Sequence, residues 1–184
     1  MIYRTIFYFL RSRRASRLGV HDVGRVTLRV LPTDLDTLRH VNNGIYLSLM
    51  DLGRTDLLIR SGIYATFSKL GYYPVISSET ITFRRSLQPW QRVILETRIV
   101  GYDAKAVFVE QRFVVDGEIF ATGFVRARFL KKSGGTVSMD ELVAAVGIDP
   151  ADIPLPEWLG RWSEDVALPP SRAAAPSHWH DDKR

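Results

Sequence analysis

The sequence predicts an α+β domain in which one buried helix lies against a single antiparallel sheet. Three observations carry this. Residues 44–60 are apolar almost all round in their first half (Ile45, Tyr46, Leu47, Leu49, Met50, Leu52), and a helix with so little polar face has to be wrapped by other structure. From Val75 onward the hydrophobic period changes to two and stays there, which marks strands. Asp116-Gly117 separates two such runs, a dipeptide that favours the tight hairpin turn whose two central positions need positive φ. The order is one strand, the helix, then four strands on mostly short connections, as helix-on-sheet layering requires.

Taken in order, Val26, Leu28 and Val30 alternate with Arg25, Thr27 and Arg29, so residues 23–31 read as a strand with one buried face, ended by Pro32. The helix is expected from Gly44, behind Asn42 and Asn43, both good N-caps, to the stop at Ser61-Gly62. Gly53 in its interior costs about 1 kcal/mol of helix propensity, which a close approach of the sheet backbone would explain. Strands are expected at residues 76–85, 92–100, 106–115 and 119–130, with a turn at Gly101-Tyr102-Asp103. Ser138 and Glu141 form a capping box for a last helix through Val146. Beyond Gly147 the chain is rich in proline, alanine, tryptophan and charge without a sustained period, and residues 167–184 read as loosely draped or disordered. The expected organisation is a basic amphipathic segment over residues 1–18, one domain over 19–147 and a Pro/Ala-rich extension over 148–184.

A chain of 184 residues with 46% hydrophobic content supports one sizeable core rather than two domains. Cysteine is absent, which removes disulfides and thiolate chemistry and fits a cytoplasmic location. The formal charge of +5 is local: residues 1–18 hold Arg4, Arg11, Arg13, Arg14 and Arg17 with no acid, and of the 25 lysines and arginines the other 20 face 20 acids. The body is neutral, so no nucleic-acid partner is expected. The same N-terminal segment carries Ile2, Tyr3, Ile6, Phe7, Tyr8, Phe9 and Leu10. It is too short to span a bilayer and has no signal-peptide layout. Two readings remain: a helix docked on the protein or a partner subunit, or one making peripheral contact with a membrane.

Chemistry concentrates in Asp34-x-Asp36-x-x-x-His40-x-Asn42-Asn43-x-x-Tyr46, directly ahead of the helix. Free N–H groups and the positive end of the dipole at a helix start stabilise a developing oxyanion, so a carboxylate and an oxyanion hole could sit side by side there. Asp34 reads as a loop anchor. His40 either orients the chemistry or shapes the loop through the backbone, and Asp51 and Arg54 are spaced for an i,i+3 ion pair. His178-Trp179-His180-Asp181-Asp182 resembles a metal clip but reads as incidental.

That motif, the Phe83-Arg84-Arg85 triplet and the strand run that follows resemble the hotdog-fold acyl-CoA thioesterases of the 4-hydroxybenzoyl-CoA thioesterase-like group. Leu49-Met50-Asp51-x-Gly53-Arg54 and the apolar-basic N-terminus are similar to the branch containing thioesterase superfamily member six. The resemblance implies a curved sheet wrapped around the central helix, and a homodimer or dimer of dimers with sites at the subunit interface. It implies acyl-CoA as substrate, Asp36 as the catalytic carboxylate and the helix start at Asn43, Gly44 and Ile45 as oxyanion hole; the motif itself adds His40 as a catalytic candidate and Asn42 at the helix start, and no cofactor or metal is expected. Arg84, Arg85, Arg126 and Arg128 would be placed to meet the phosphates of coenzyme A, and Phe108, Phe113, Phe120, Phe124 and Phe129 suit either an acyl tunnel or the core. Relatives such as plant acyl-carrier-protein thioesterases place asparagine where this chain has Leu38 and can carry glutamate where it has Thr82. The alternative is therefore a non-catalytic acyl-CoA or lipid binding protein. The Asp-x-Asn-Pro-x-His pattern of hotdog hydratases is absent.

Overall fold

The computed structural model describes residues 2–170 and 172–177. Helix α1 (Ile2–Arg14) leads into strand β1 (Gly24–Arg29), a 3₁₀ turn (Pro32–Asp34), and the central helix α2 (Asn43–Arg60). A short helix α3 (Ile63–Leu70) precedes strands β2 (Tyr72–Phe83), β3 (Arg92–Tyr102), β4 (Val107–Val115) and β5 (Glu118–Lys131), and helices α4 (Met139–Val146) and α5 (Glu157–Asp165) follow. The five strands form one antiparallel sheet in the order β1-β3-β4-β5-β2, curved around α2 as a hotdog fold.

The period-two pattern decides which face meets the helix. Val93, Leu95, Val109, Phe113, Ala121 and Val125 are buried with Tyr46, Leu49, Met50, Leu52 and Leu57 of α2, and each large apolar side chain removed from water contributes about 1.5–3 kcal/mol. Gly53 is required, although by side chains rather than by the sheet backbone: a Cβ there would lie 2.4 Å from Thr97 Oγ1, 2.8 Å from Leu95 Cδ2 and 2.9 Å from Gln111 Nε2. Buried Gln111 donates to the Met50 carbonyl and to Thr97 Oγ1, each at 2.9 Å, and accepts from Arg54 at 2.7 Å. Arg54 also pairs with Asp51. This polar lock fixes the helix to β3 and β4.

Several boundaries moved. The β3–β4 turn falls after Tyr102, not at it, because a bulge between Ile99 and Gly101 carries the strand on to Tyr102; Asp103 Oδ1 then accepts from Lys105 N–H at 2.6 Å. Asp116 (φ 50°) and Gly117 (φ 82°) make the expected hairpin turn, and the Ser138–Glu141 capping box closes in both directions. Two helices went unread. Helix α3 buries Ile63 and Phe67 between Gly62 and Gly71, and α5, inside the C-terminal extension, covers the face of the sheet opposite α2. Its Leu159 is fully buried with Val100, Ala106 and Phe108, and Trp158 stacks edge-on against Phe124. Gly101 admits this layer, since a Cβ there would lie 2.6 Å from Leu155 Cα.

Helix α1 docks on the body. Arg4 pairs with buried Asp34 at 2.7 Å and donates to the Arg29 carbonyl, Tyr8 donates to the Thr27 carbonyl, and Ser12 donates to buried Asp56 at 2.6 Å. Among the described residues no helix is long and apolar enough to cross a membrane. The His178–Asp182 motif lies outside the described residues.

Candidate active site

The motif folds into a small closed loop. Leu35 and Val41 form an isolated bridge, Asn42 N–H donates to the Asp34 carbonyl at 2.9 Å, and Val41 N–H donates to the Leu87 carbonyl. Asp34 holds this from below, its buried Oδ2 accepting from Arg4 and from Leu31 N–H at 2.9 Å. Within the loop, Asp36 N–H donates to the His40 carbonyl at 2.8 Å, and Asp36 Oδ1 accepts from the N–H groups of Leu38 (2.8 Å) and His40 (3.2 Å). Asp36 is half-buried, and its Oδ2 has no hydrogen-bond partner among the described residues. A carboxylate with one oxygen pinned by the backbone and the other open has the geometry a base or nucleophile needs. Arg39 at φ 61° takes the left-handed step that closes the loop.

His40 reaches Asp36 through its main chain. The exposed imidazole makes no hydrogen bond among the described residues. Leu38, at the loop tip, is 72% exposed.

Helix α2 begins at Asn43, one residue earlier than expected, so Asn43 is its first residue and not a cap. Asn42 is the N-cap, its Oδ1 accepting from Gly44 N–H at 2.9 Å, while its carbonyl accepts from Ile45 N–H at 2.9 Å. Of the helix-start donors, Gly44 and Ile45 are therefore engaged, and the Asn43 N–H has no acceptor among the described residues. That narrows the expected oxyanion region to one amide at the positive end of an 18-residue helix. Tyr46, which the motif reading left without a role, anchors the site: its ring packs edge-on against Phe83 and Phe113, and its hydroxyl accepts from Leu87 N–H at 3.3 Å. Burial pushes its pKa up, opposed by that N–H.

The four arginines expected at one phosphate site are split between two. The N–H groups of Arg84 and Arg85 both donate to the Phe120 carbonyl, just before Leu87 and so at the end of the sheet where the motif lies. Arg84 pairs with Glu118 at 2.7 Å, and Arg85 lies over the Phe120 ring. Arg126 lies six residues further along β5, about 20 Å at strand rise. It is bound to Asp103 at 2.8 Å and lies over Phe108, on the sheet face opposite α2, while Arg128 is directed to Thr136. Strand registers bring Arg126 and Arg128 against Ser78 and Val75, not against the loop.

The aromatic set divides likewise. Phe113 is core, Phe108 and Phe124 belong to the α5 layer, and of the five only Phe129 lines the apolar cavity of about 170 Å³ beneath the second half of α2. That cavity, bounded by Asp51, Arg54, Leu57, Phe67 and Ile99 among others, starts about 12 Å along the helix from Asn43. Tyr46, Leu49 and Met50 fill the space between.

A curved antiparallel sheet around a buried helix, with an aspartate loop leading into that helix, defines a hotdog-type protein. The model of the thioesterase-like superfamily matches residues 30–163, and the chain belongs to that family. It is similar to the protein THEM6 of Danio rerio, 32% identical over 97% of this chain and 91% of that protein. It is also 40% identical to the Xenopus laevis protein THEM6 over 54% of this chain, a match that spans 48% of the relative. Among solved structures, a DHNA-CoA thioesterase from Staphylococcus aureus superposes with a TM-score of 0.59 at 16% identity, over 78% of this chain and 90% of that one. This last likeness is one of fold.

Proposed function

We propose that this chain hydrolyses acyl-CoA thioesters, with Asp36 as the catalytic carboxylate and the start of α2 as the oxyanion site. The observation that carries the reading is that Asp36, with an open Oδ2, sits in the loop that leads into the central helix, whose first amide, the Asn43 N–H, is unengaged among the described residues. Membership of the thioesterase-like superfamily supports the substrate class.

In the general-base route, Asp36 takes a proton from water as the oxygen bonds to the thioester carbonyl carbon. The carbonyl oxygen gains negative charge and is met by the Asn43 N–H. Collapse re-forms the carbonyl, breaks the C–S bond and returns the proton to the CoA thiolate, leaving the free acid. In the nucleophilic route, Asp36 itself bonds to the carbonyl carbon, CoA thiolate leaves, and water then opens the anhydride. The thiolate is a good leaving group, so neither route needs a strong acid. Arg84 and Arg85, at the same end of the sheet, meet CoA phosphates, and His40 stands at the loop mouth to position the substrate.

Assembly completes the site. Strand β2 pairs with β5 on one side and, among the described residues, leaves its outer side unpaired, with Ile76 and Phe83 exposed, and such edges are normally covered. A second copy pairing there closes over Leu38 and Phe83 and encloses the acyl group.

A panel of aliphatic and aromatic acyl-CoAs, with an acyl-carrier-protein thioester for comparison, tests the activity through release of free thiol. In a single turnover in heavy-oxygen water, label in Asp36 marks an anhydride opened at its aspartyl carbonyl; label only in the product acid fits the general base or an anhydride opened at the acyl carbonyl, and trapping with hydroxylamine as an Asp36 hydroxamate separates those two. A chain that binds acyl-CoA and releases no thiol from any of them is a binding protein.

A further inference from the structure

Helix α1 is docked inside out. Its polar side chains Arg4, Tyr8 and Ser12, spaced i, i+4, i+8, face the body and are all hydrogen-bonded to it. Ile2, Tyr3, Ile6, Phe7 and Leu10 form the opposite stripe and are between 48% (Leu10) and 86% (Tyr3) exposed. A surface helix of a globular protein normally buries its apolar stripe, so this face awaits a cover.

Charge says what the cover is. Arg13 and Arg14 continue the outward face by one turn, and Arg17 follows; all three are exposed and none forms an ion pair among the described residues. Beside them an open groove of about 620 Å³ between α1 and α3 is lined by Arg13, Arg17 and Lys69 with Phe9 and Tyr64. The acids nearest this layer, Asp34 and Asp56, are buried and already paired, with Arg4 and Arg60. A second copy laid on this face would bring an apolar stripe together with like charge and no acid to meet it. We propose that α1 seats the protein peripherally on an anionic phospholipid surface, the stripe entering the headgroup–acyl boundary and Arg13, Arg14, Arg17 and Lys69 meeting lipid phosphates. The arrangement keeps the chain beside lipid while the body stays in water.

Deleting α1 would strip buried Asp34 of its cation and Asp56 of the Ser12 hydroxyl, so the test substitutes only outward residues of the full chain. Sedimentation with sucrose-loaded vesicles of phosphatidylcholine, with and without about 30% phosphatidylserine, is expected to pellet the protein with the anionic vesicles alone, and less as salt rises from about 0.1 M to 1 M. Arg13→Gln with Arg14→Gln should lower the partition coefficient about 25-fold, at about fivefold per arginine near such a surface. Phe7→Ser with Leu10→Ser should leave the protein in the supernatant with its melting temperature unchanged. The proposal is overturned if wild type stays in the supernatant with every vesicle, or if it pellets equally with neutral ones. It is likewise overturned if the serine pair lowers the oligomeric mass in light scattering, because a protein partner then covers the stripe.

Discussion

Replacing Asn43 with proline removes one hydrogen-bond donor and almost nothing else. Asn43 is the first residue of α2, where proline is favoured because its missing N–H has no intrahelical acceptor. Its predecessor Asn42, at φ −56° and ψ 134°, already has the extended conformation that proline imposes on the residue before it. The caps of Asn42 on Gly44 and Ile45 are untouched, so the melting temperature should hold or rise. Loss of an oxyanion donor is worth about 10²–10³ in rate, or about 3–4 kcal/mol of barrier. Asn43→Pro should therefore lower kcat for thiol release by that factor, whereas Asn43→Ala, which keeps the N–H, should stay within about threefold of wild type. Wild-type turnover in the proline variant would place the oxyanion elsewhere. Equal losses in both variants would move the role to the side-chain amide.

Other outcomes follow from the packing. Arg4→Met leaves Asp34 buried without its cation and should cost about 3–5 kcal/mol in urea unfolding, part of which Asp34→Asn in the same chain should restore. Gly53→Ala should lower stability by about 1–3 kcal/mol through the contacts with Thr97, Leu95 and Gln111, although alanine is the better helix former. Burial, with Asp152 nearby, pushes Tyr102 from 10.0 up to about 12. The folded state thus holds this proton more tightly, so stability is full below pH 10 and falls as pH rises toward about 12; Tyr102→Phe should flatten that part of the alkaline unfolding curve. Leu159→Ala should cost about 2–5 kcal/mol by opening the layer under α5.

How much of this was legible in the sequence differs by level. The core strands, α2 and the hairpin at Asp116-Gly117 could be read because the apolar period of the face turned to the core survives. Helix α3 carried a weaker signal, Ile63 and Phe67 four apart between two glycines, shadowed by the preceding Ser61-Gly62 stop. In α5, Trp158, Leu159 and Trp162 do mark one face after Pro156, but prolines around a nine-residue helix hide the period. Within the site, the spacing placed Asp36 ahead of a helix, yet only the fold reveals that Asn42 engages two of the helix-start amides. Arg84 and Arg85 lie apart from Arg126 and Arg128 for a topological reason: β2 and β5 run antiparallel, so the two arginines that follow β2 lie beside the start of β5, while Arg126 and Arg128 lie toward its end. Nor could alternation alone tell aromatic residues of the core from those beneath α5, because both faces of this sheet are covered.

The most direct test of the catalytic account is thiol release by wild type and Asp36→Asn on the best acyl-CoA of the panel. Asparagine keeps an oxygen to accept from Leu38 and His40, so the loop should survive while the base or nucleophile is lost, and the rate should fall about 10²–10⁴-fold. Turnover in the Asp36→Asn chain equal to wild type, with the same fold by circular dichroism, would contradict it.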